Sequence, residues 1–243
     1  MRSGDPVILA LLVFHDEMEF LPDYFRNVPP HVDGIIALDD GSTDGSFEFV
    51  SSQPAVIQML RVEPRVPHIW DEPANRRAII EATMKHAPDW VVAIDADERV
   101  ERDFRRRALI EIARAESEGI AALSVNIREL WDSPVHYRAD GAWGMKRHAR
   151  LFRHRTDPEI DPRALHGHWA PLNSRTDGGY PAGDLNVYHL RMLTAERRAA
   201  RRARYERLDP LRVNQPVGYA HLTDHTGLEL APLPEGREYE PLP

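Results

Sequence analysis

Two acidic clusters stand where apolar runs end. Asp39-Asp40-Gly41-Ser42 follows Gly34-Ile35-Ile36-Ala37-Leu38, and Asp95-Ala96-Asp97-Glu98 follows Trp90-Val91-Val92-Ala93-Ile94. Short apolar runs of this kind suit buried strands of a parallel sheet, whose ligands bind just beyond the strand carboxyl ends. Residues two apart on a strand share a side, so Asp95 and Asp97 can face one ligand. The carboxylates of Asp39, Asp40, Asp95 and Asp97 repel one another if they meet at one sheet edge. A hard divalent cation, Mg²⁺ or Mn²⁺, carrying a phosphorylated substrate would relieve that repulsion. The bland alternative for a D-x-D is acidic charge placed at the start of the following helix, where the dipole favours it.

The elements that must position these groups alternate in the first half. Strands are expected over residues 7–14, 34–38, 57–62 and 90–94, and helices over 17–26, 46–52, 73–87 and 101–118. The last of these carries Phe104, Ala108, Ile112 and Ala115 on one face and closes at Gly119. Such β-α alternation predicts an α/β fold with a mostly parallel, Rossmann-like sheet and right-handed crossovers. Strands are further expected over 121–130, 149–152 and 185–190, separated by an irregular stretch rich in Trp, Tyr, His, Pro and Gly. A helix over 194–208 takes Thr194 as N-cap. Its Arg197, Arg198, Arg201, Arg202, Arg204 and Arg207 read as a solvated face, with Ala199, Ala203 and Leu208 docking it. The proline- and glycine-rich residues 209–243 read as an extended tail.

Bulk composition narrows the classes. With 243 residues the chain can bury a sizeable core. A formal charge of −8 disfavours nucleic acid or an anionic membrane as partner. The absence of cysteine excludes disulfides, thiolate metal sites and a cysteine nucleophile. The apolar stretch 7–14 is too short to span a bilayer and runs into His15-Asp16-Glu17, so it reads as a first strand and the protein as cytoplasmic.

The DDGS turn after one strand and the D-x-D after another resemble the family-2 glycosyltransferases of the GT-A fold. The resemblance covers residues 7–118 well and extends more loosely to 208. It implies a metal-dependent transfer of a sugar from a nucleoside-diphosphate sugar, with a uridine donor as default, to an acceptor hydroxyl with inversion. Donor nucleotide contacts would fall to Phe14, Glu17, Asp39, Asp40, Arg77 and Asp95, with Asp40 on the base or ribose. Metal ligation would fall to Asp95 and Asp97, and to His189 of Val187-Tyr188-His189-Leu190-Arg191-Met192, at the place where many GT-A enzymes complete the metal shell with a histidine. Arg76 and Arg77 lie where the family uses a basic residue near the donor. Residues 1–120 would form the donor half and 121–208 the acceptor half.

Inversion needs a base for the acceptor proton. Its candidates are Glu129, Asp132, Asp140 and Asp161, with Asp140 preferred ahead of Asp132 because aromatics flank its turn. Lys146, Arg147 and Arg150 could neutralise phosphate or form a charged strand edge. His166 and His168 read best as loop hydrogen-bonding groups. A soluble acceptor fits better than a polyprenyl lipid. Two other classes compete: a haloacid-dehalogenase-like phosphatase, whose D-x-D-G-T spacing is missing here, and a non-catalytic nucleotide-sugar-binding domain.

Overall fold

The computed structural model describes residues 4–242. In chain order the strands are β1 (Ile8–Phe14), β2 (Gly34–Asp40), β3 (Val56–Val62), β4 (Trp90–Ala93), β5 (Glu98–Val100), β6 (Ala122–Glu129), β7 (His136–Arg138), β8 (Arg147–Arg153), β9 (Ala182–His189) and β10 (Leu230–Pro232). The helices are α1 (Leu21–Asn27), α2 (Ser46–Ser51), α3 (Glu72–Ala82), α4 (Phe104–Ser117), the short α5 (Gly141–Gly144) and α6 (Ala195–Leu208).

Eight strands form one sheet in the order β3-β2-β1-β4-β8-β6-β9-β5. Strands β1 to β4 are mutually parallel, and β6 and β9 are parallel to each other. Only β8 and β5 run the other way, each pairing antiparallel with its neighbours. This is the mostly parallel α/β sheet expected for a GT-A-type chain. Its consequence for the site is geometric: β1, β2, β4, β6 and β9 all end at one edge, carrying Phe14, Asp40, Asp95, Glu129 and His189 there.

The sheet is buried on both sides, which explains why its strands are apolar runs instead of alternating ones. Ile8, Ala10, Leu12 and Phe14 feed one core, together with Leu21 and Tyr24 of α1 and Phe104, Ala108 and Ile112 of α4. Leu9, Leu11 and Val13 feed the other, with Ile79 and Ile80 of α3. After β2 the chain turns through Gly41, whose φ of 78° lies in the left-handed region; a Cβ there would come 3.0 Å from the Pro64 Cα.

Three expectations need correction. Helix α4 starts at Phe104, not at 101, because Glu101 is completely buried and accepts from the Asn186 amide (3.1 Å) and from Arg237 (2.8 Å to Nη2). Residues 209–242 are not an extended tail. Strand β10 pairs antiparallel with β7, Tyr239 is buried against Tyr188 at 5.1 Å between ring centroids, and Arg237 closes on Glu101 and Asp184. Helix α6 does not dock through its small residues: Ala199 and Ala203 are exposed and Leu208 is 39% exposed. It docks through arginine. Arg198 is 1% exposed, stacks 4.2 Å from the Trp131 ring, and donates to Asp132 Oδ1 (2.7 Å) and the Met192 carbonyl (2.8 Å). Arginine stems cover apolar surface and guanidiniums stack on aromatic faces, so an arginine-rich face can be an inner one.

No helix among the described residues is long and apolar enough to cross a membrane.

Candidate active site

A cleft of about 1030 Å³ opens at the common strand edge. Phe14, Glu17, Asp95, Asp97 and His189 all line it, so five of the expected site residues share one space. The sheet register explains how distant segments meet. His189 stands opposite Glu98 across β5–β9 and opposite Glu129 across β6–β9.

At the centre His189 bridges two carboxylates. Its Nδ1 lies 2.6 Å from Glu129 Oε2 and its Nε2 lies 3.1 Å from Asp97 Oδ2. Burial opposes charge on this ring, but the Glu129 and Asp97 carboxylates overrule it and lift its pKa to about 9. Burial likewise opposes the charge on Asp97, yet Arg191 and His189 hold its carboxyl well below the usual range. Glu129 behaves the same way, with burial outweighed by His189 and Lys146. Arg191 donates through Nε to Asp97 Oδ2 (2.7 Å) and through Nη2 to Glu17. Beside this group Arg150 Nη2 donates to Asp95 Oδ2 (2.7 Å) and Glu98 Oε1 (2.8 Å). Burial pushes both Glu17 and Glu98 up to about 7, despite Arg191 and Arg150. The carboxylate repulsion foreseen from the sequence is therefore relieved in this structure by arginines.

Among the described residues no group of three or more His, Asp or Glu side chains stands in metal-holding geometry. Asp95 is turned to Arg150, which leaves Asp97 and His189 as the converging pair. Their surroundings still suit a cation shared with phosphate oxygens. Glu129 holds the His189 ring through Nδ1, as a carboxylate does behind a metal-bound imidazole, while Nε2 faces Asp97 Oδ2 and would give up its proton when a cation binds. Glu17 Oε2 is buried without a hydrogen-bond partner. Mg²⁺ needs only one or two protein carboxylates when a diphosphate supplies further oxygens.

Other expected residues are placed elsewhere. Asp39 is fully buried, accepting from the Ser42 amide at 3.0 Å and facing Arg61 at 3.5 Å, and so holds the turn. Asp40 is 4% exposed and receives His68 Nε2 at 3.1 Å, while His68 stacks on His15 at 3.6 Å between ring centroids. Neither aspartate lines the cleft. Arg77 is exposed, and Arg76, one helical step away, lines the cleft instead. The Arg76 guanidinium is pinned by the carbonyls of Arg163 (2.7 Å), His168 (3.2 Å) and Glu72 (3.4 Å). Gly167 permits this, because a Cβ there would lie 1.9 Å from Arg76 Nη1. His166 and His168 do line the cleft.

The proposed bases fare differently from the metal group. Asp140 is held by Arg138, at 2.8 Å to Nε and 3.0 Å to Nη2, and Asp132 by Arg198, and neither lines the cleft. The hydrogen bond from Arg138 also holds the Asp140 carboxyl below its usual range. Asp161 is bonded to Arg163 and to the His168 amide. Their aromatic neighbours suggested an acceptor pocket; Trp143 does line the cleft, but both rings also lie against Arg138, which neutralises Asp140, at 4.7 Å from Trp131 and 5.0 Å from Trp143. The residues that sequence reasoning underrated are Glu98, Arg150, Arg191 and Arg201. Glu98 and Arg191 directly adjoin the motifs; Arg150 reads from the sequence as a phosphate-neutralising or strand-edge charge and Arg201 as part of a solvated face, whereas both reach the acidic group at the strand ends.

No family model matches the chain. It is 30% identical over 221 residues to the uncharacterized protein Rv3786c of Mycobacterium tuberculosis, and equally to Mb3815c of Mycobacterium bovis. In each case the match covers 87% of this chain and 53% of the relative, so the chain spans about half the length of the curated relatives it matches. Solved structures with some likeness include TarS of S. aureus, at 14% identity and a TM-score of 0.42 over 77% of this chain and 29% of that one. Another is glucosyl-3-phosphoglycerate synthase of Mycobacterium tuberculosis in complex with Mn²⁺ and uridine-diphosphate-glucose, at 20% identity and a TM-score of 0.35 over 51% of this chain and 44% of that one.

Proposed function

We propose that the chain is a glycosyltransferase of the family-2 type that moves a sugar from a nucleoside-diphosphate sugar, a uridine diphosphate sugar in the first instance, to an acceptor hydroxyl with inversion. The observation that carries this reading is the meeting of Asp97 from the turn between β4 and β5 with His189 from the end of β9 in one cleft, with Glu129 orienting the imidazole. Asp97 and His189, with Asp95 once released from Arg150, would hold Mg²⁺ or Mn²⁺ together with the donor diphosphate. When bound, that ion neutralises the charge that grows on the leaving diphosphate. Arg191 and Arg201 add fixed positive charge beside it. Phe14 and Glu17, at the end of β1, border the donor side.

Titration calorimetry with UDP and GDP, each with and without Mn²⁺, tests the reading. UDP binding that requires Mn²⁺, and that Asp97→Asn abolishes in a folded protein, supports it. Hydrolysis of p-nitrophenyl phosphate without nucleotide binding would favour the phosphatase reading instead, and metal-independent binding with no turnover of any UDP-sugar would favour a non-catalytic module.

A further inference from the structure

The cleft has two chemically opposite walls. Every carboxylate that lines it, namely Glu17, Glu19, Glu72, Asp95, Asp97 and Glu98, comes from the first hundred residues. Beyond residue 100 the lining contains no carboxylate among the described residues, while Lys146, Arg147, Arg201 and Arg204 all face the space there. Some of the other cations are spent on the acid wall: Arg191 on Glu17 and Asp97, Arg197 on Glu19, and Arg150 on Asp95 and Glu98.

The remaining cations are poorly neutralised. Lys146 and Arg201 share a single carboxylate, Glu129, which also holds His189; the Arg201 separation is 3.8 Å. Arg147 donates to the neutral Asn126 amide oxygen at 3.0 Å, and Arg204 lies 5.4 Å from the Trp70 ring; neither forms an ion pair among the described residues. Arg150, 4% exposed on the same strand as Arg147, leaves Nε and Nη1 without acceptors. The imidazoles of this wall register the field. Burial lowers His166 and His221, and Arg201 and Lys146 lower both further. Tyr205 and Trp143 line the cleft beside these cations, with Tyr219 stacked behind Tyr205 at 5.1 Å between ring centroids, a composition suited to a sugar or similar ring bearing a negative group.

We infer that the C-terminal wall is an acceptor subsite for an anionic acceptor, one carrying a phosphate or carboxylate group that Lys146, Arg147 and Arg204 would receive. Positive charge on this scale, met by a single protein carboxylate in a concave site, attracts a ligand that brings its own negative charge. The inference rests on the transferase reading, since it assigns the second substrate of that same cleft.

The experiment uses the protein saturated with UDP and Mn²⁺, so that the donor side is filled. Titration calorimetry then compares glucose, glucose 6-phosphate, glucuronate and inorganic phosphate. The expected result is that at least one anionic probe binds about tenfold or more tightly than glucose, because charge-assisted hydrogen bonds replace neutral ones. That advantage shrinks with added salt and falls to the level of glucose in Arg147→Gln/Arg204→Gln. Preference for glucose 6-phosphate identifies phosphate as the group recognised, and preference for glucuronate identifies carboxylate. UDP–Mn²⁺ binding with all four probes equal, or with an anion advantage that survives the double substitution, overturns the inference and leaves the transferase reading standing. Failure of UDP to bind at all overturns both.

Discussion

The buried triad Glu129–His189–Asp97 makes stability depend on pH in a direction opposite to ordinary acid denaturation. His189 is raised from 6.5 to about 9 by carboxylates on both sides of the ring. A group whose folded pKa lies above its unfolded value contributes stability that is complete below the unfolded pKa and disappears as pH rises through the folded one. The contribution of His189 is therefore full below pH 6.5, declines between 6.5 and about 9, and is absent above. At about 1.4 kcal/mol per pKa unit this amounts to roughly 3 kcal/mol. Asp97 and Glu129 stay ionised throughout that window, because their own carboxyls are held well below the usual range. Glu17 and Glu98 titrate near 7, so measurements between pH 7.5 and 10 isolate the imidazole. The assay is urea unfolding at successive pH values for the natural protein and for His189→Gln, which keeps hydrogen-bonding capacity without the charge. The gap in unfolding free energy between the two should close by about 2 kcal/mol as pH rises from 7.5 to 10. A gap constant across that range would refute the charged triad, and with it the claim that two carboxylates set the state of this ring.

Two further substitutions probe the site's supports. Glu129→Gln keeps the ring's neighbour but not its charge, and should weaken Mn²⁺ binding in the presence of UDP by about 10- to 100-fold, the usual cost of losing a carboxylate behind a ligating histidine; unchanged Mn²⁺ affinity would remove Glu129 from that role. Gly167→Ala forces a methyl to within 1.9 Å of Nη1 of the Arg76 guanidinium, which three carbonyls hold through Nε, Nη1 and Nη2, so it should destabilise the fold by about 1–3 kcal/mol in urea unfolding; an unaltered midpoint would show that the loop moves aside freely.

The fold's donor half was legible because both of its cores use long apolar runs. Residues 7–14, 34–38 and 90–94 announce β1, β2 and β4 to within two residues, and Thr194 caps α6 as its sequence suggests, its side chain accepting from the Arg197 amide. Misjudged segments share one cause, which is partnership with residues far along the chain. Glu101 looks like a good first-turn residue for α4, but Arg237 arrives from 136 positions away and pulls it into the core. Strands β5 and β7 are three residues each and exist only through their pairing with β9 and β10. Proline and glycine content made residues 209–242 look unstructured; local composition carries no signal for Tyr239 meeting Tyr188.

The same distinction governs the site. Asp95, Asp97 and His189 were legible because they stand at or just past the ends of apolar strands, where side chains leave the sheet into the cleft. Asp140 and Asp132 were chosen by their aromatic neighbours, and the choice missed what those aromatics do. Trp131 is completely buried and takes Arg138 at 4.7 Å and Arg198 at 4.2 Å on its ring, and these two guanidiniums hold Asp140 and Asp132. An acid flanked by tryptophan and arginine is thus as well suited to a structural ion pair as to catalysis, and only the three-dimensional position of the guanidinium decides. For α6 the lesson runs the other way. Its arginines looked solvated because charge is costly to bury, yet that cost is met by carboxylates, carbonyls and rings at Glu19, Met192, Glu129 and Trp131. Arg147 and Arg204 on the cleft's C-terminal wall are exposed and have no carboxylate partner among the described residues, and from that unpaired charge the anionic acceptor is inferred.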